Sequence, residues 1–101
     1  MLEGAFLSAV NLAEIHTRLL LGGLPPGLAW ERIIGLHFEV CPFTEDQAQT
    51  AAEMVAATKR YGLSLGDRAC LALAIERKAT VYTTDRVWKE LGLPIPVEVI
   101  R

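Results

Sequence analysis

Leu63-Ser64-Leu65-Gly66-Asp67-Arg68-Ala69-Cys70-Leu71-Ala72-Leu73-Ala74 is the stretch on which the fold turns. Ser64 and Asp67 stand three apart immediately ahead of an apolar run, the spacing of a helix capping box. In that motif the serine oxygen accepts from the N–H of Asp67, and the Asp67 carboxylate accepts from the amide of Ser64. The helix that follows is Ala, Leu, Cys and Ile on most of its sides, which predicts an internal helix packed beneath a sheet. A carboxylate is thereby planted at the first turn of such a helix, near the rim of the fold. It suits capping and metal holding equally well.

Composition bounds the rest. A chain of 101 residues predicts one domain, 1–101. Folding at this size hides roughly 60–65% of the extended surface, enough for one modest core. With 51% hydrophobic and only 7% aromatic residues, that core is aliphatic, which argues against disorder. No apolar run approaches the ~18 residues of a membrane span. Glu3, rather than Lys or Arg, precedes the first apolar stretch, so the N-terminus does not read as a secretory signal. Cys41 and Cys70 are too far apart for a CxxC pair or a thiol metal site and read as buried thiols in a reducing cytoplasm. A formal charge of −2 gives no general steering towards nucleic acid, so such binding would rest on a local basic patch or on bound cations.

Taken in order, Ala5–Val10 reads as a short apolar strand. Asn11 and Glu14 have the spacing of a cap, opening a helix to Leu21 that Gly22-Gly23 ends. Pro26 at a helical first turn, then Leu28, Trp30, Ile33 and Ile34, predicts a second helix closed by Gly35. Phe38–Cys41 is the next strand, stopped by Pro42. Thr44-Glu45-Asp46-Gln47 caps one long helix whose last turn carries Lys59 and Arg60 before Gly62. After the internal helix from about Gly66 to Arg77 come the strand Thr80–Thr84, a short helix Arg86–Leu91 ended by Gly92, and an edge-like strand Pro96–Ile100. Strands alternating with helices predict a three-layer α/β/α sandwich with a mostly parallel sheet.

Glu14, Asp67 and Asp85 fall near the first turns of three helices, and Glu14 and Asp85 directly follow strands. Ligands gather outside the carboxyl ends of strands in open parallel sheets, so the topology allows the three acids to converge. Gathered carboxylates repel one another unless a divalent cation sits among them, and oxygen-only donors suit Mg²⁺ or Mn²⁺. Neither His16 nor His37 has the company a zinc site needs; they read as a helix residue and a loop residue. Capping alone accounts equally for Glu14 and Asp67 at N3 of their helices, and for Asp85 ahead of Arg86–Leu91. Arg68 and Arg86 each follow an acid, with Arg18 and Lys89 one turn beyond Glu14 and Asp85, and such groups are placed to hold phosphate. They are equally ordinary surface residues. Thr83 or Thr84 is placed to position water or to cap, and Trp30 and Trp88 read as core or interface residues.

Ser8–Glu14, Leu63–Ala74 and Val81–Trp88 resemble three signature blocks of the PIN domain, nearest to the VapC-type toxins of bacterial toxin–antitoxin pairs. The likeness spans essentially the whole chain. It implies a metal-dependent ribonuclease that hydrolyses RNA phosphodiester bonds, forms a homodimer and is held by an antitoxin protein. It also implies that Glu14, Asp67 and Asp85 bind Mg²⁺ or Mn²⁺, with Thr83 or Thr84 in support. Members of that family begin with a further, central strand carrying an Asp, whereas Met1 here stands almost directly before their second strand. The expectation is therefore a PIN-like fold lacking its first central strand, with weak or absent activity. The alternative is a non-catalytic remnant that dimerises or binds an antitoxin.

Overall fold

The computed structural model describes residues 5–100; Met1–Gly4 and Arg101, and with them the reading of Glu3, lie outside these. The chain divides into two compact units, Met1–Phe43 and Thr44–Arg101. Helices layer on small parallel sheets, an α/β architecture consistent with the PIN-like sandwich expected from the sequence.

The first unit runs β1 (Phe6–Ser8), α1 (Ala9–Leu21), α2 (Pro26–Ile34) and β2 (Glu39–Cys41). Its strands pair in parallel, Phe6 opposite Glu39 and Ser8 opposite Cys41. The helix begins earlier than the sequence spacing implies, because Ser8, buried and extended, accepts the amide of Val10 at 3.2 Å and is the N-cap in place of Asn11. Two Asx- or Ser-type caps competed within four residues, and the one at the end of the strand prevailed. Glu14 thus stands in the second turn, and its link to Asn11 is a side-chain contact of 3.4 Å between Asn11 Nδ2 and Glu14 Oε1. Gly22 ends α1, with Gly23 at φ +100°, and Pro26 opens α2 at N1 as expected. Ala29 and Ile33, one turn apart, are its buried face.

The second unit opens with α3 (Glu45–Glu53), capped by Thr44, whose side chain accepts the amide of Gln47 at 3.2 Å. The single long helix of the sequence reading is interrupted at Met54; α4 (Val55–Thr58) and a 3₁₀ turn, Lys59–Tyr61, complete it. The cause is local. Thr58 is buried and its hydroxyl donates to the Met54 carbonyl at 2.8 Å, while the amides of Ala57 and Thr58 converge on the same oxygen. Threonine bonding back one turn weakens a regular helix, and an Ala-rich sequence hides this. Gly62, at φ +72°, makes the left-handed stop.

Next comes α5 (Leu65–Arg77), capped by Ser64. Leu71, Ala72, Leu73 and Ala74 are buried in succession, more than a full helical turn, so this part of α5 has no solvent-facing stripe. β3 (Val81–Thr83) and β4 (Val97–Val99) pair in parallel, Val81 opposite Val97 and Thr83 opposite Val99, with a 3₁₀ segment Arg86–Leu91 between them. Leu71, Ala74, Val81 and Trp88 form the core, backed by Met54, Leu63, Cys70, Leu91, Leu93, Ile95 and Val97. Trp88 is a core residue, as expected. Trp30, read as core or interface, lies outside the core and is exposed, with its ring 5.4 Å from that of His16.

Candidate functional site

Asp67 is set by the capping box read from the sequence. Its amide donates to Ser64 Oγ at 3.1 Å, and its Oδ2 accepts the amide of Ser64 at 2.9 Å. Both bonds fix the carboxylate against the first turn of α5, where the helix dipole favours negative charge. One turn on, burial and then the Asp67 charge push the Cys70 thiol above its usual range.

Asp85 follows β3 and caps the 3₁₀ segment, with Oδ1 accepting the amide of Val87 at 3.0 Å. Thr83 holds the turn from the other side, its hydroxyl accepting the Asp85 amide at 3.0 Å. Thr83 is thus a positioner of Asp85, while Thr84 and Arg86 are exposed beside it. Asp67 and Asp85 share a pattern. One oxygen of each is pinned by a backbone amide, and the other has no hydrogen-bond partner among the described residues. Capping therefore orients these carboxylates without consuming them.

Glu14 projects from α1 in the first unit, exposed, beside an open hollow lined by Val10, Ala13, Glu14, Thr17 and Arg18. The Thr17 hydroxyl donates to the Ala13 carbonyl at 2.7 Å, so Glu14 and Arg18 are the charged groups at the edge of that hollow. Among the described residues, no group of three or more His, Cys, Asp or Glu side chains is gathered closely enough to hold a metal ion. The donor chemistry of Glu14, Asp67 and Asp85 suits a hard cation. No described helix is long and apolar enough to cross a membrane.

Two features escaped the sequence. Gln47, buried in α3, donates from Nε2 to Glu76 Oε2 at 3.0 Å. Arg68 Nη1 donates to the carbonyl of Ala51 at 2.8 Å. Both link α3 to α5 across long sequence separations, and no local pattern announces such contacts.

The family profile of the PIN domain matches residues 1–93. The crystal structure of FitAcB from Neisseria gonorrhoeae is similar at 26% identity and a TM-score of 0.70, over 96% of this chain and 76% of that one. A structure of FitAB bound to an IR36 DNA fragment is similar at 25% identity and a TM-score of 0.69, over 98% of this chain and 75% of that one. VapBC-5 from Mycobacterium tuberculosis, of the VapBC family of toxin–antitoxin systems, is similar at 25% identity and a TM-score of 0.60, over 93% and 79% of the two chains. No curated protein matches the chain.

Proposed function

Since the chain belongs to the PIN-domain family, we propose that it is the toxin of a toxin–antitoxin pair, an endoribonuclease that hydrolyses RNA phosphodiester bonds with Mg²⁺ or Mn²⁺. The observation that supports this most is the state of the two aspartates, each with one oxygen pinned by an amide and the other unpartnered among the described residues. A carboxylate held in this way keeps its direction and its ligating capacity together. Glu14, Asp67 and Asp85 are the proposed catalytic carboxylates and the groups that would hold the metal. A bound divalent cation supplies charge neutralisation at phosphate and an acidified water. The chain's own part is to aim the carboxylates, through Ser64 at Asp67 and through the Val87 amide and Thr83 hydroxyl at Asp85. Thr84 and Arg86, exposed beside Asp85, are proposed to meet water or the RNA backbone. Similarity to VapBC-5, of the VapBC family of toxin–antitoxin systems, supports an antitoxin as the protein partner, and a homodimer and a cytoplasmic place belong to the same reading.

The test is cleavage of a mixed-sequence single-stranded RNA with Mg²⁺ or Mn²⁺ by the full chain and by E14Q, D67N and D85N. Each substitution is expected to lower the rate on the order of 100-fold or more. Equal cleavage by wild type and all three variants overturns the assignment.

A second reading is favoured by the exposed apolar side chains Leu21, Ile34 and Leu36 of the first unit: a non-catalytic PIN-like protein that dimerises or binds an antitoxin. It predicts intact RNA at every metal concentration together with a stable complex in sedimentation.

A further inference from the structure

Arg68 is the fourth residue of α5, directly after Asp67. Its guanidinium reaches out of its own helix to the Ala51 carbonyl, at 2.8 Å, in the last turn of α3. Gln47 near the start of α3 meets Glu76 near the end of α5, so the two helices run antiparallel. The C-terminal end of α3 therefore lies against the N-terminal end of α5. The last carbonyls of a helix lack intrahelical partners and carry its partial negative charge. Glu45 and Asp46 match the dipole at the start of α3, but its own last turn holds no basic residue. Arg68 supplies that cation from the neighbouring helix.

The guanidinium is poorly placed for phosphate. Arginine grips phosphate by two parallel N–H groups, through Nη1 with Nη2 or through Nε with Nη2. Here Nη1 is engaged by Ala51, and Nε is buried without a hydrogen-bond partner among the described residues. Neither fork is intact and outward.

We propose that Arg68 is a positioning residue for Asp67: by tying the first turn of α5 to the last turn of α3, it fixes the direction of the Asp67 carboxylate and does not itself touch RNA. The part concerning RNA rests on the reading of Asp67 as a site carboxylate; the part concerning direction does not.

The experiment compares the full wild-type chain with R68A and R68K, and with R68Q should R68A not fold. Amide hydrogen exchange is read at Ser64 and Asp67 against Leu71–Ala74 in the interior of α5. Mn²⁺ affinity is measured by electron paramagnetic resonance. The kcat and KM, and the salt dependence of binding, are measured with a mixed-sequence single-stranded RNA. In R68A, exchange at Ser64 and Asp67 is expected to quicken about tenfold while Leu71–Ala74 hold, and Mn²⁺ affinity to fall about tenfold. The kcat should fall with KM unchanged, the salt slope should stay as in wild type, and R68K should recover part of the loss, because its ammonium keeps the charge and can donate to the Ala51 carbonyl. Unchanged exchange at Ser64 and Asp67 overturns the proposal. So does a raised KM with a salt slope smaller by about 0.7, the signature of one lost phosphate contact on a single strand. If the wild type binds neither Mn²⁺ nor RNA, the nuclease reading fails, and the exchange data still decide whether Arg68 orients Asp67.

Discussion

Ser64 and Asp67 show how two short side chains serve a helix end and a site at once. Ser64→Ala removes the acceptor of the Asp67 amide and should cost ~1 kcal/mol in chemical denaturation. Asp67→Asn keeps an oxygen for the Ser64 amide and loses only the charge. Its stability should therefore fall by less than about 1 kcal/mol while metal binding weakens by about tenfold or more, which separates fold from function in one variant. Cys70 gives a pH signature. Its thiol is held above the unfolded value of roughly 8.5, so the unfolded chain ionises first as pH rises. That contribution to stability is present below this value and disappears as pH climbs through the folded value. Cys70→Ala should flatten the alkaline decline of the unfolding midpoint; an unchanged decline would assign it to other groups. At this scale the sequence was legible where the chemistry is local. The capping box at Ser64 and the cap at Thr44 were both readable. The cap at Ser8 was missed because Asn11 and Glu14 imitate the same spacing three residues later.

The elements were legible in kind and order, less so in continuity. Gly22, Gly35, Gly62 and Gly92 each end a helical segment where expected. The break at Met54 was hidden, because it goes with the Thr58 hydroxyl bonding back to the Met54 carbonyl and not with a Gly or Pro. Gly62 is required by conformation alone. A Cβ there meets nothing within 4 Å, yet φ is +72°, so Gly62→Ala should cost about 1–2 kcal/mol with no change in packing. Leu71 is fully buried in the core of the second unit, and Leu71→Ala should cost 2–5 kcal/mol, read as a drop in unfolding midpoint. A smaller loss would mean that Met54 and Leu91 collapse into the space.

For the whole molecule, the α/β class followed from the alternation of strands and helices, and the resemblance of three separated blocks pointed to the family that the profile match establishes. The site was less legible at this scale, because spacing in sequence does not say whether residues 14, 67 and 85 share a pocket. Leu21, Ile34 and Leu36 in the first unit are well exposed, and burial of such side chains against a second copy accords with the proposed dimer. Sedimentation should show a dimer in the micromolar range, and a monomer at all concentrations would remove that part of the account. The central claim, that three carboxylates act as one metal site, is tested most directly by titrating Mn²⁺ into the full chain followed by electron paramagnetic resonance. The account predicts saturable binding that E14Q, D67N and D85N each weaken by about tenfold or more. Identical titrations for all four proteins, or no binding to the wild type, would contradict it.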